Sequence, residues 1–227
     1  MSKTPASPSP ESTLTAGALL TAIGGYLDAY TYVGHGVLAN TQSGNVVLMA
    51  VAVANAHWPT AIRHVPPIVA FFVGTYVARL IQTLGPRYGF APVPVSLVVE
   101  TVILLLNACL PHSASEYLTT VSIAFAAALQ WSAFATAGGL AYTSVATSGN
   151  LRQLASSVST LNVDADDSSA QSRARAFARF CTVFPAGAIV GAVATRLLDH
   201  AAAALPALCL IGLLVTVMAA SRTQAQT

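Results

Sequence analysis

Six long apolar runs alternate with short polar segments along the chain. They cover residues 14–34, 66–84, 93–110, 118–139, 176–198 and 202–220. A helix rises 1.5 Å per residue, so each run can cross about 30 Å of hydrocarbon. The runs are rich in Ala, Leu and Val and lack the short alternating pattern of a membrane barrel. The pattern predicts an all-α, polytopic membrane protein with about six full spans in one membrane domain, residues 14–220.

Two shorter apolar segments each follow a polar stretch that ends in Ser-Gly-Asn. LANTQSGN, residues 38–45, is named the first break, and TSVATSGN, residues 143–150, the second break. The apolar segments that follow them cover residues 46–56 and 151–161. A helix of this length rises about 17 Å, roughly half a bilayer. We therefore expect two half-helices in addition to the six spans.

The two halves of the chain resemble each other. A shift of 105 residues (148 − 43) aligns the two Ser-Gly-Asn triplets, and FFVGTYVA at 71–78 resembles FPAGAIVG at 184–191. We predict an internal repeat, residues 14–110 and 118–220. Three full spans per half would make the repeat inverted, as in many transporters. Gly74 and Gly187, in the second pair of segments, are predicted points of close helix packing.

The distribution of positive charge predicts the topology. Lys and Arg favour the cytoplasmic side. With six spans and a cytoplasmic N-terminus, eight of the ten Lys and Arg residues lie inside, and Arg63 and Arg196 lie outside. If both short segments crossed, the split would be seven to three. The six-span interpretation, with both termini cytoplasmic, is favoured. The polar residues 1–13 predict a disordered tail, and residues 221–227 a short polar one.

Composition narrows the class of protein further. Hydrophobic residues make up 55% of the chain and charged residues 8%, against about 25% charged in soluble domains. The lipid bilayer is therefore the expected partner, and a net charge of +2 argues against nucleic acid. We expect no metal and no cofactor, because His35, His57 and His64 lack ligand spacing and are predicted interface residues.

The breaks have two interpretations that stay open. A helix that begins inside a membrane has up to four unpaired N–H groups, and hydrocarbon offers them no partner. Ser and Asn are good caps and Gly permits a tight turn, so each break could simply cap a packed short helix. The same N–H groups attract an anion or a carboxylate. The two breaks could therefore face each other and line a substrate site.

Two acids lie inside predicted spans, Asp28 and Glu100. An acid at a helix centre costs about 2.5–3.5 kcal/mol on insertion scales. A low dielectric favours the neutral carboxyl, so a carboxyl that gains and loses a proton is a candidate for proton coupling. The alternative is that each acid only hydrogen-bonds a neighbouring helix, through Tyr30, Gln130 or Asn107.

Together these features favour a small secondary transporter or permease for a small solute, with an anionic solute weakly favoured. Asp28 and Glu100 are the candidates for proton coupling. The candidate substrate-binding residues are Asp28, Tyr30, Asn40, Ser43, Gly44, Asn45, Gln130, Ser148, Gly149 and Asn150. The small size is compatible with a homodimer. A non-catalytic membrane subunit or sensor is the alternative, and an enzyme, such as an intramembrane hydrolase, is disfavoured because no His lies in a span core to activate a serine.

A resemblance supports the membrane interpretation. GGYLDAYTYVGHGVLANTQSGN, residues 24–45, resembles the opening signature of the YoaK-like family, multi-pass bacterial membrane proteins defined as a domain of unknown function. The positions that match are Gly25, Asp28, Ala29, Asn40, Ser43, Gly44 and Asn45. Ser43 replaces a common threonine and keeps the hydroxyl. The resemblance covers residues 14–220 and implies a bacterial inner-membrane protein, but no established activity.

Overall fold

The computed structural model describes residues 13–111 and 115–224, with the backbone alone at 221–224. Almost all of these residues are helical, which confirms the all-helical prediction. The helices are α1 (Leu14–His35), α2 (Gln42–Ala54), α3 (Trp58–Arg63), α4 (Val65–Leu84), α5 (Pro92–Ala108), α6 (Glu116–Ala133), α7 (Thr147–Val163), α8 (Ser168–Leu198) and α9 (Ala204–Gln224). The predicted N-terminal tail lies outside the described residues except for Thr13, whose hydroxyl caps α1 by accepting from the N–H of Ala16.

A short hairpin interrupts the apolar run predicted at 118–139. Helix α6 ends at Ala133, and two strands, β1 (Thr136–Ala137) and β2 (Leu140–Ala141), pair in antiparallel fashion. Gly138 and Gly139 form the turn with φ values of 58° and 76°. Glycine adopts positive φ without steric cost, so this Gly-Gly pair lets the chain reverse. The predicted full-length helix over this run is therefore wrong.

Helix α8 begins earlier than the predicted span at 176–198. The carboxylate of Asp167 accepts hydrogen bonds from the N–H groups of Ala170 and Ser169, both at 2.9 Å. These bonds lower the pKa of the Asp167 carboxyl below its ordinary value, because they stabilise the ionised form. The acidic segment at residues 164–167 thus ends in a helix cap, and α8 is 31 residues long.

Helices α1 and α8 pack side by side and run in the same direction. Gly17, near the start of α1, lies beside Phe180 in the middle of α8, and near the C-terminal ends of both helices Thr195 faces Gly34. Between these points the backbones touch, because a Cβ on Gly187 would overlap the carbonyl oxygen of Ala22. Small residues allow such close approach of membrane helices. The predicted packing role of Gly187 is confirmed.

Helices α4 and α6 make the corresponding contact and also run in the same direction. Val65, in the first turn of α4, shares an apolar groove with Val121, and the side-chain amide of Gln82, near the end of α4, donates to the carbonyl of Ser132 at 2.6 Å. A Cβ on Gly74 would meet the carbonyl oxygen of Phe125 at 2.7 Å. This confirms the predicted packing role of Gly74. The first helix of each half thus packs against a later helix of the other half.

Helices α1 and α6 run in opposite directions. Leu14, at the start of α1, contacts Gly138, which follows the end of α6. The side-chain amide of Gln130 donates to the carbonyl of Leu20 at 3.1 Å. At the other end of the bundle, His35 of α1 interacts electrostatically with Glu116 in the first turn of α6. Helix α5 packs against α9.

The outer surface of the bundle is apolar. Two helical stretches of the described chain, Trp58–Tyr88 and Ser168–Ala220, are long and apolar enough to cross a membrane. The first contains α4 and the second contains α8 and α9, while α2 and α5 are shorter apolar helices. Large apolar side chains point outwards, including Phe72 at 73% exposure and Leu197 at 76%. Large apolar side chains exposed on helices of this length are typical of contact with lipid, and the protein is membrane-associated.

Candidate functional site

The carboxylate of Asp28 lies under the first break. Asp28 is on the buried side of α1 and only 6% exposed. Its Oδ1 accepts from the N–H of Asn40 at 2.7 Å and from the N–H of Thr41 at 3.3 Å, and its Oδ2 accepts from the hydroxyl of Thr41 at 2.5 Å. These donors precede α2 by one or two residues. A carboxylate of the chain itself therefore lies close to the N-terminal end of α2, where the helix dipole favours negative charge.

Asp28 does not use the partners that the alternative interpretation assigned to it on neighbouring helices. Gln130 bonds Leu20, and the side chain of Asn107 donates to Ile103 and Ser122. Tyr30 lies in the core at 2% exposure, and its hydroxyl has no hydrogen-bond partner among the described residues.

The two breaks approach the same residue of α1, Gly24. The side-chain amide of Asn40, in the first break, donates to the carbonyl of Gly24 at 2.6 Å. On its other side, a Cβ on Gly24 would overlap the carbonyl oxygen of Ser144, in the second break. Asn40 is 4% exposed and Ser144 is fully buried. Sequence analysis identified the breaks but not Gly24; its only signal was the Gly-Gly pair within an apolar run.

Asn45 and Asn150, the last residues of the two breaks, make the same pair of hydrogen bonds. Asn45 accepts from the N–H of Leu38 at 2.9 Å and donates to its carbonyl at 2.6 Å. Asn150 accepts from the N–H of Thr143 at 3.1 Å and donates to its carbonyl at 2.7 Å. In each half the partner lies seven residues earlier. The shift of 105 residues that aligns the sequences also aligns these contacts.

The Ser-Gly-Asn triplets do not cap their helices as expected. Thr41 and Ala146 occupy the N-cap positions, and neither makes a side-chain cap bond. The triplets lie inside the first turns of α2 and α7, where Ser43 and Ser148 are exposed. Gly44 lies under Leu38, whereas Gly149 is exposed and lies beside the hydroxyl of Thr143. Only the asparagines of the triplets are buried, so their role is to hold each break against its helix.

His64 joins the first break, which sequence analysis did not predict. It was expected at an interface, but it is 2% exposed, and its Nδ1 lies 3.2 Å from Oδ1 of Asn45. The two residues are 19 positions apart; Asn45 is in α2, and His64 is the turn residue between α3 and α4. No pattern of hydrophobic or polar positions marks that contact.

Glu100 lies apart from the breaks. It is fully buried on the face of α5 that carries Leu97 and Leu104, and neither carboxyl oxygen has a hydrogen-bond partner among the described residues. Both leucines belong to the main hydrophobic core. No described hydrogen bond links Glu100 to Asp28, so the two candidates for proton coupling are separate sites.

The second break borders a cavity of about 490 Å³. Its wall combines apolar and polar surface, and the polar side chains are Tyr142, Thr143, Ser148, Asn150, Arg152 and Gln153. Within the described chain, no group of three or more His, Cys, Asp or Glu side chains could hold a metal ion.

This architecture defines a class: a helical, membrane-associated protein in which two polar helix breaks meet on one helix. The chain belongs to the family described as a protein of unknown function (DUF1275), whose family model matches residues 16–218. The resemblance to the YoaK-like family is thereby confirmed over nearly the whole chain. No curated protein and no solved structure matches the sequence.

Proposed function

We propose that this protein is a small secondary transporter of the bacterial inner membrane, with its solute site where the two breaks meet. The observation that carries the proposal is the convergence of both breaks on Gly24, through Asn40 on one side and Ser144 on the other. Interrupted helices that meet in the middle of a bundle are a recurrent way to build a transport site. The proposal includes six membrane crossings with both termini in the cytoplasm, and lipid around the bundle.

An inverted repeat is part of this proposal. The antiparallel directions of α1 and α6, the first helices of the two halves, support it. The helix contacts support it as well. Helix α1 packs against α8, and α6 packs against α4. If α1 corresponds to α6 and α4 corresponds to α8, these two contacts are equivalent. The chain enters the first break from the C-terminal end of α1, at Gly36. It enters the second break from the hairpin, which lies beside Leu14 at the N-terminal end of α1. The two breaks thus approach Gly24 from opposite ends of α1.

Asp28 is the proposed proton-coupling residue. As a carboxylate it accepts from two backbone N–H groups and one hydroxyl, and charge-assisted bonds of this kind are strong. A protonated carboxyl loses acceptor capacity and charge, which weakens its hold on Asn40 and Thr41. Protonation of Asp28 would therefore loosen the first break beside the solute site. Glu100 is a second proposed proton site, because a buried carboxyl without partners is stable only when neutral.

No catalytic step is proposed. The hydroxyl of Ser43 is exposed in the first turn of α2, and His64 bonds Asn45 instead. A nucleophilic serine needs a base within hydrogen-bond reach. A homodimer remains compatible with the proposal and is not required by it.

The test is transport by the purified protein in proteoliposomes loaded with a pH-sensitive dye. Lactate, succinate and glutamate are added outside, with choline and putrescine as cationic comparisons. We expect proton flux with at least one anion and its loss in Asp28→Asn. The amide keeps the shape of the side chain, and the Thr41 hydroxyl can still bond to it, but it cannot exchange a proton. Asp164→Asn, at an exposed acid, is the matched control.

Two results would contradict the proposal. Absence of solute-dependent flux with every solute, from a correctly folded wild-type protein, would remove the transport function. Equal flux in wild type and Asp28→Asn would remove the coupling role of Asp28 and leave the site itself in place. Gel filtration of both variants separates loss of function from loss of fold.

A further inference from the structure

The cavity in the second break has the electrostatic character of an anion site. It lies beside the first turn of α7, and Arg152 is the charged residue among those that line it. The N-cap residue of α7 is Ala146, which provides no side-chain cap. N–H groups at the start of a helix attract negative charge, and a guanidinium binds carboxylates through two parallel hydrogen bonds.

The two halves carry opposite charges near their breaks. In the first break, the carboxylate of Asp28 holds the N–H groups that precede α2. At the shift of 105 residues the second half has Ala133 for Asp28, Ala146 for Thr41 and Arg152 for Val47. The second half therefore lacks the anion that the first half carries and has a cation instead. An anion from outside the chain would restore the arrangement seen in the first half.

Buried hydroxyl groups at this cavity lack partners. Tyr142 lines it and is only 7% exposed, and Ser144 is fully buried. The two hydroxyls lie near each other, yet neither oxygen has a partner of good hydrogen-bond geometry among the described residues. A buried hydroxyl without a partner is unfavourable, because it has lost its hydrogen bonds to water. Of these two residues, Tyr142 is the one that lines the cavity, so it is the one that a ligand there would contact.

We propose that the cavity in the second break binds a small carboxylate-bearing solute, with Arg152 as its counter-charge and Tyr142 at its inner wall. The carboxylate would supply the second half with a negative charge near its break, as Asp28 does in the first half. This inference rests on the proposed transport function, for which it names the substrate class. It also assigns different roles to the two breaks: the first carries the acid of the chain, and the second receives the acid of the solute.

Trifluoroacetate is the probe for the test, because ¹⁹F line broadening detects weak binding of a carboxylate. The full-length protein is placed in nanodiscs of phosphatidylcholine, which has no net charge. We expect broadening with wild type, weakened tenfold or more in Arg152→Gln, since a charge-assisted pair is lost. Arg175→Gln, at an exposed arginine of α8 that is not among the cavity residues, should stay within about twofold of wild type.

A second variant tests the comparison between the halves. Ala133→Asp supplies the second half with an acid at the position of Asp28, and we expect it to prevent binding of trifluoroacetate. If that variant does not fold, Arg152→Gln still decides the question.

Three outcomes would overturn the assignment. Equal broadening in wild type and Arg152→Gln would remove the site, and an equal loss in Arg175→Gln would reduce it to surface charge. Loss of the signal when phosphatidylglycerol is added to the nanodiscs would assign the anion site to lipid headgroups instead of a solute. Binding through Arg152 without any transported anion would keep the site and contradict the transport function, so the two proposals fail separately.

Discussion

Asn45 makes more hydrogen bonds in the first break than Asn150 makes in the second. Both asparagines bond the backbone of the residue seven positions earlier. Asn45 also donates to the side chain of Gln42 at 2.9 Å and lies 3.2 Å from the ring of His64. The side chain of Asn45 is fully buried, and that of Asn150 is 1% exposed. The first break is thus held by a network, and the second by a single pair of bonds.

We expect Asn45→Ala to be more destabilising than Asn150→Ala. Each substitution leaves one backbone N–H and one carbonyl without a partner, at about 1–3 kcal/mol for a buried group. Asn45→Ala loses the contacts with Gln42 and His64 as well, so we expect about 2–4 kcal/mol against about 1–3 kcal/mol for Asn150→Ala. Reversible unfolding in mixed micelles measures the free energy of unfolding.

His64→Ala, alone and combined with Asn45→Ala, provides the control. Since the two side chains are in contact, the cycle should give a coupling energy of about 0.5 kcal/mol or more. Additive effects, or a larger loss from Asn150→Ala, would mean that the network around Asn45 does not stabilise the first break.

At the scale of the helices, the apolar pattern predicted most elements well. Helices α4 (Val65–Leu84) and α5 (Pro92–Ala108) fall within one or two residues of the predicted runs, 66–84 and 93–110. Proline in the first turn marks the start of both helices, where its missing N–H has no cost. Apolar content did not show where α6 ends, because the Gly-Gly hairpin after it is as apolar as a helix.

The candidate site was only partly predictable, for a reason of chain geometry. The acid of Asp28 was evident from its cost inside a span, but its partners were not. They lie 12 and 13 residues later and reach the acid only because the chain reverses at Gly36, which has a φ of 72°. Contacts made by such a reversal have no period in the sequence. Ser43 and Ser148 were predicted to bind solute; both are exposed, and their role stays a prediction.

The close packing of α1 against α8 depends on glycine. We expect Gly187→Val to prevent folding or to lower the free energy of unfolding by about 3 kcal/mol or more, because the new side chain would meet the backbone of Ala22, which cannot move aside. Gly212→Val is the matched control, since nothing lies within 4 Å of a Cβ on Gly212 in α9.

Thermal unfolding followed by gel filtration compares the two valine variants. Gly187→Ala, a smaller change at the same contact, should be intermediate. Equal stability of the valine variants at positions 187 and 212 would mean that the close approach of α1 and α8 is not needed.

At the scale of the whole molecule, the two breaks differ in how open they are. The first break is closed by Asp28 and by Leu38, which lies over Gly44. The second break is open to a cavity beside Ser148. Under the proposed transport function, two inverted halves in different states would make the solute site accessible from one side at a time. This interpretation predicts which side reaches which break.

Single cysteines at Ser43 and Ser148 test that arrangement, because both positions are exposed. The background replaces Cys109, Cys181 and Cys209 with alanine. If the repeats are inverted, a membrane-impermeant thiol reagent should label Ser43→Cys from the periplasm and Ser148→Cys from the cytoplasm. Permeabilised cells give the control, since both cysteines should then react.

The rates of labelling add a second criterion. Ser148→Cys should react faster than Ser43→Cys, because Ser148 lines a cavity of about 490 Å³, and trifluoroacetate should slow that reaction if the cavity binds carboxylates. Labelling of both cysteines from the same side would mean parallel repeats, with the short helices crossing the membrane. The convergence at Gly24 would then be a packing contact of the two breaks with α1, since a solute could not reach it from both faces.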